Sequence, residues 1–225
     1  MDDQDGEQLV DELLADPRKF DDEGKAYALL QLYFKGFPVE TLRPLLRSDN
    51  VFVQRSAAFV ASELGGDSRN LVDDLIPLLS SVDRHVSWYA MEALTVCCKG
   101  EHIEKFAHVA RMLESDDNAL RGLAMRLVSN ADVSQLEAAW RFFGAPDSYH
   151  RTHADALHAL VAAHKVDPTF VVAMMHDPDP LIRRYGAIAA KRVLKKFPHL
   201  IMEAGSSVDS DLRRFHDDVV DVKGS

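Results

Sequence analysis

Apolar positions in this chain recur in a fixed frame. A seven-residue interval separates Leu46 from Val53, Leu79 from Val86, Leu113 from Leu120, Phe143 from His150 and Met175 from Ile182, and a small residue follows four positions later at Ala57, Ala90, Ala124, Ala154 and Gly186. The interval starts lie 33, 34, 30 and 32 residues apart, a period at which one helix–turn–helix hairpin stacks on the next. The pattern predicts first helices near 39–47, 70–80, 102–114, 133–143 and 167–176, and second helices near 51–64, 84–97, 118–130, 149–164 and 180–196. Between them lie Ser48-Asp49-Asn50, Ser81-Val82-Asp83, Ser115 to Asn118, Ala145 to Ser148 and Asp177-Pro178-Asp179-Pro180. Such residues end one helix and cap the next, because their short oxygens accept the first unpaired amides.

A less regular unit is expected over 7–36, with its turn at Ala15 to Phe20, as terminal repeats depart from the frame. The resulting organisation is one domain over 1–198, with an irregular amino-terminal cap at 1–38 and regular units over 39–198. Residues 199–225, where the frame fades, read as a polar carboxyl-terminal cap or tail.

Composition narrows the class. The chain has 225 residues, 47% of them hydrophobic, enough for a ribbon-like core and too apolar for a disordered chain. No apolar run approaches 20 residues, and the acidic start Met1-Asp2-Asp3-Gln4-Asp5 is unlike a secretory leader. A cytoplasmic protein is therefore expected. The two cysteines, Cys97 and Cys98, are neighbours in a predicted helix and read as reduced core thiols. The net charge of −10 sits at the ends. Residues 1–23 hold ten acids against Arg18 and Lys19, and residues 203–225 hold six against Arg213, Arg214 and Lys223. Solubility of terminal repeats explains this at least as well as attraction of a basic partner.

The segment Asp177-Pro178-Asp179-Pro180-Leu181-Ile182-Arg183-Arg184-Tyr185-Gly186-Ala187 resembles the consensus of HEAT repeats: an acidic, proline-containing turn, an aliphatic residue, an arginine and a small residue. Asp49 to Ala57 and Asp116 to Ala124 repeat it, while Ser87 replaces the arginine in one unit and His150 the aliphatic residue in another. The resemblance implies an all-α fold, a right-handed α-solenoid of about six HEAT-like hairpins, with second helices lining a concave side. It also implies that Arg121, Arg151 and Arg183 pair with turn aspartates of their own or the next repeat.

Counted from each interval's first residue, offsets +7, +11, +14, +15 and +18 form one helical stripe, the core, while +9, +13 and +16 point away from it. These outward positions nominate Arg55, Phe59, Trp88, Glu92, Arg126 and Arg184, with Met91 and Met125 beside them, as a partner-binding surface. Trp, Met and Arg together are the composition of a binding hot spot. Lys191, Arg192, Lys195 and Lys196 read as a solvated basic face. His150 and His153 sit three apart on one helix face, but no second close pair or HExxH motif accompanies them, so no metal and no cofactor is expected.

Phosphate loops, nucleophile elbows and kinase signatures are absent from the sequence. The expected function is non-catalytic protein binding through the concave face by an adaptor or inhibitor. Small acidic helical-repeat proteins also resemble the immunity proteins that neutralise bacterial toxins, and repeat proteins that assist chromophore attachment. One enzymatic alternative is a HEAT-like alkylpurine DNA glycosylase, with Trp88 and Glu92 beside Arg126. The acidic composition argues against the basic groove such an enzyme needs, so a protein and not a nucleic acid is the expected partner.

Overall fold

Four of the five regular turns end in a side-chain helix cap. Side-chain oxygens of Asn50, Asp83, Asp117 and Asp179 accept the amides of Phe52, of His85 and Val86, of Ala119 and Leu120, and of Leu181, each such cap contributing about 1 kcal/mol. A computed structural model describes residues 2–145, 150–162 and 167–221. The expected turn at Pro146 to Ser148, and the outer ends of the helix expected over 149–164, lie outside the described residues. Among the described residues all regular structure is helical. The helices are α1 (Asp2–Ala15), α2 (Pro17–Asp22), α3 (Lys25–Phe34), α4 (Leu42–Leu46), α5 (Val51–Glu63), α6 (Val72–Leu75), α7 (Arg84–Cys97), α8 (Phe106–Arg111), α9 (Asn118–Asn130), α10 (Val133–Phe143), α11 (Arg151–Val161), α12 (Pro168–Met175), α13 (Pro180–Arg192), α14 (His199–Gly205) and α15 (Ser210–Asp221).

The helices divide into two compact units, residues 1–102 and 103–225. In the first, α5 packs on α4, α7 and α3, and α7 packs on α6. The core stripe is realised here in full: Val53, Ala57, Val60, Ala61 and Leu64, then Val86, Ala90, Ala93, Leu94 and Cys97, are all buried. Several first helices are broken into short α and 3-10 pieces, such as Gly65–Leu71, Val72–Leu75 and Ile76–Ser80. Pro77 sits in the last of these and cannot donate an amide to a continuous helix. The amino-terminal cap differs from its expected form. Asp16 accepts the amide of Lys19 and Pro17 occupies the first helical position, so Pro17–Asp22 is a helix, and the chain turns instead at Gly24, whose φ is 67°.

In the second unit α10 packs on α8 and α11, α12 on α13, and α14 on α15. The small position of the frame is required at Gly186, where an added Cβ would lie 2.8 Å from the amide nitrogen of Met175. Residues 199–221 form a further hairpin and not a loose tail, with α15 packed on α13 and α9. Helix α13 also packs on both α9 and α11, a contact beyond the nearest-neighbour pattern of simple repeat arrays. Ile188 and Ala156, two positions that face outward in the sequence frame, are buried in this unit. No helix among the described residues is long and apolar enough to cross a membrane.

The frame's arginine binds its own turn, and Arg183 also meets a turn aspartate as expected, whereas Arg121 takes its carboxylate from Asp211 of α15 and not from its own or the next turn. Arg183 donates to the turn carbonyls of Asp177 and Pro178, at 2.9 Å each, and to the Asp209 carboxylate of the next turn at 2.8 Å. Arg121 holds the carbonyls of Ser115 and Asp116 in the same way. Ser87, which departs from the pattern, serves the same end at short range: its buried hydroxyl lies 3.1 Å from the Leu78 carbonyl and 3.3 Å from that of Ser81.

Candidate functional site

The eight nominated residues fall into two sets. Arg55, Phe59, Trp88, Met91 and Glu92 belong to the first unit; Met125, Arg126 and Arg184 belong to the second. Met91 and Met125 are completely buried and are not surface anchors. Their offset, +12, lies about 60° past the last residue of the core stripe at 100° per residue, on a flank that packing also covers. Arg184 is committed within the second unit, donating to Asp211 at 3.0 Å and to the Leu113 carbonyl at 2.8 Å. Lys191 and Arg192 are likewise not a solvated face. Lys191 reaches Ser129 at 2.8 Å and Asn130 at 3.0 Å, while Arg192 reaches the Ala131 carbonyl at 2.8 Å. Burial, then the neighbouring Arg126 charge, lowers the Lys191 pKa. Lys195 and Lys196 stay exposed, as does Arg126.

In the first unit Arg55, Phe59 and their neighbours form a cleft of about 200 Å³ lined by Asp21, Gly24, Ala26, Tyr27, Arg55, Ser56, Phe59 and Tyr89. Its walls follow from local sequence. The short α2 delivers Asp21, the glycine turn allows the chain to reverse into α3, and Tyr27 follows with 62% of its surface exposed. Arg55, Ser56 and Phe59 share one face of α5, four residues apart at most, and Tyr89 comes from α7. Phe59 and Tyr89 meet edge to face with ring centroids 5.5 Å apart, a geometry that favours aromatic pairs. Trp88 and Glu92 are half-buried on α7 and do not line this cleft.

Arg55 is clamped by two carboxylates. One terminal nitrogen lies 2.7 Å from Asp21 Oδ2 and the other bonds Asp83 Oδ2. Asp83 thus has two duties, capping α7 with one oxygen and holding Arg55 with the other. Burial by itself would raise the Asp83 pKa, but the bond from Arg55, the Val86 amide and the Arg55 charge outweigh it and hold the group below its ordinary value. Two carboxylates around one guanidinium leave the wall with a residual negative charge. Two polar atoms behind the wall, Ser56 Oγ and Arg55 Nε, are buried without a hydrogen-bond partner among the described residues. An unpaired buried donor costs about 1–3 kcal/mol.

The sequence frame placed Arg55 and Phe59 at this surface but passed over Tyr27, Asp21, Ser56 and Tyr89. Tyr27 and Asp21 come from the irregular cap, where the frame offers no register. Ser56 lies at offset +10, between the core and the outward stripes.

The fold is an all-α helical repeat of the α-solenoid class. No family model matches the chain, and no curated protein sequence matches it. Solved structures do. One crystal structure of an engineered protein from the Northeast Structural Genomics Consortium has 19% identity and a TM-score of 0.42, covering 83% of this chain and 96% of its own. A second engineered protein from the same consortium has 18% identity and a TM-score of 0.46, covering 88% of this chain and 61% of its own.

Proposed function

We propose that this chain is a non-catalytic, HEAT-like protein-binding module, an adaptor or inhibitor, that holds its partner in the aromatic cleft of the first unit. The observation that carries this reading is the pairing of an aromatic lining, Tyr27, Phe59 and Tyr89, with the Asp21 and Asp83 carboxylates that clamp Arg55 in the wall. A protein segment supplies both complements: an apolar side chain for the rings and a cationic one for the acidic wall. Charge sets the partner's character. The first unit has nineteen acidic residues against ten basic ones, so a segment with lysine or arginine beside its apolar side chain is favoured and steered toward it. The Phe59 and Tyr89 rings are held against each other and the guanidinium by two carboxylates, which keeps the ordering cost of binding low.

The test is site-specific photocrosslinking in the native cell. A benzophenone residue in place of Tyr27 should capture a protein that the same residue in place of the exposed Val208, in the second unit, does not. Equal capture from both positions, or capture from neither, would reject the cleft as the docking site.

A further inference from the structure

In the second unit, three side chains of metal-ligating type converge from separate segments. Glu114 ends the 3-10 turn Met112–Glu114, His150 stands at the cap of α11, and His153 lies one turn further along. His153 Nε2 is 3.1 Å from Glu114 Oε2, His150 Nδ1 is 3.8 Å from the same oxygen, and the three ligand atoms lie within 4.8 Å of one another. Tetrahedral zinc with bonds near 2.0–2.1 Å sets neighbouring donors about 3.3 Å apart. The two gaps to Glu114 bracket that value.

The surroundings orient the ligands. His153 is 1% exposed, stacks on Phe143 with ring centroids 4.5 Å apart and 13° between planes, and has its second ring nitrogen 2.7 Å from the Tyr185 hydroxyl. Tyr185 is itself fully buried. A partner on the second nitrogen fixes ring orientation and tautomer, as outer groups do around metal-binding histidines. Glu114 and His150, by contrast, are 45% and 32% exposed, so the fourth position of a tetrahedron opens to solvent.

We propose that Glu114, His150 and His153 bind one zinc-class divalent ion, with water in the fourth position. Two imidazoles and one carboxylate suit zinc and its late first-row neighbours, not magnesium or calcium, which take oxygen cages. Without the ion, His153 Nε2–H donates to Glu114 and the tyrosine hydroxyl donates to Nδ1. With it, the ring proton moves to Nδ1 and donates to the Tyr185 oxygen, which makes Tyr185 a positioning residue. The ion ties the turn before α9 to the start of α11, a structural clasp independent of the cleft in the first unit.

The untagged 225-residue chain, freed of metal with EDTA, should bind one cobalt(II) per chain with the visible spectrum of a tetrahedral site, and zinc should displace it and raise the melting temperature. Glu114→Gln and His150→Ala, both at partly exposed side chains, should each abolish the spectrum while leaving the metal-free fold intact by circular dichroism. Tyr185→Phe should weaken affinity by about tenfold, at the lower end for loss of an outer partner, with the spectrum retained. No stoichiometric cobalt binding, or binding that survives both Glu114→Gln and His150→Ala, would overturn the assignment.

Discussion

Replacing Asp211 with asparagine tests whether the last hairpin is integral to the second unit. The Asp211 side chain is 4% exposed and accepts Arg121 at 2.7 and 3.2 Å and Arg184 at 3.0 Å. Asparagine keeps the shape and removes the charge. Breaking a buried ion pair costs about 3–5 kcal/mol when the remaining charge is stranded. Here neither arginine is stranded, since Arg121 keeps the carbonyls of Ser115 and Asp116 and Arg184 keeps that of Leu113. Asp211 also lies in the first turn of α15, where a negative charge is worth about 0.3–1 kcal/mol against the helix dipole. The expected loss is about 2–3 kcal/mol, or about 4–12 °C in melting temperature for a chain of this size. The assay is urea unfolding followed by circular dichroism at constant ionic strength, with Asp217→Asn, on the same helix but 70% exposed, as the control that stays within about 0.5 kcal/mol. A loss below about 0.5 kcal/mol for Asp211→Asn would refute the reasoning, because the carboxylate would then not be holding α15 to its neighbours.

Further outcomes follow from the same contacts. Gly186→Ala should cost about 1–3 kcal/mol by overpacking against the backbone of Met175, measured by the same unfolding curve. Tyr27→Ala, at a residue mostly in solvent, should leave stability within about 0.5 kcal/mol yet lower the yield of partner recovered with the protein. Asp83 and Asp211 are both held below the ordinary carboxylate range, arginine bonds and charge outweighing burial. Their folded values lie under the unfolded ones, so this stabilisation is complete above about pH 5 and is lost as the pH falls below about 4; a pH series of melting temperatures should show the fall, and Asp211→Asn should flatten it. Burial pushes the Cys97 thiol up to about 11, and Cys98 is equally buried. Neither should react with a thiol reagent at neutral pH until urea unfolds the chain.

The repeat frame was readable because each hairpin brings a small residue against its partner helix, as Gly186 does at Met175, and because side-chain oxygens such as those of Asp83 and Asp179 must begin the second helices. The last hairpin escaped the frame although its turn is written there: Ser207, Asp209, Leu212 and Arg213 repeat Asp177, Asp179, Ile182 and Arg183. Its interval begins at Gly205 in place of an apolar residue, and His216 occupies the small position, where close packing against Gly205 is restored by the missing Cβ. Outward-facing residues were harder to assign. A helical wheel separates core from surface within one hairpin, but the packing of α13 on α9 is non-local, and it consumed Arg184, Ile188 and Lys191. The cleft combines a regular helix with the irregular cap, so the wheel found Arg55 and Phe59 without their neighbours. Glu114, 39 residues before His153, carries no local mark of joining two histidines.

Hydrogen–deuterium exchange on the protein with its crosslinked partner rebound tests the central claim most directly. The account predicts slowed exchange in the segments around Asp21 to Tyr27, Arg55 to Phe59 and Asp83 to Tyr89, with the second unit unchanged. Protection confined to the second unit, or absent from these three segments, would contradict it.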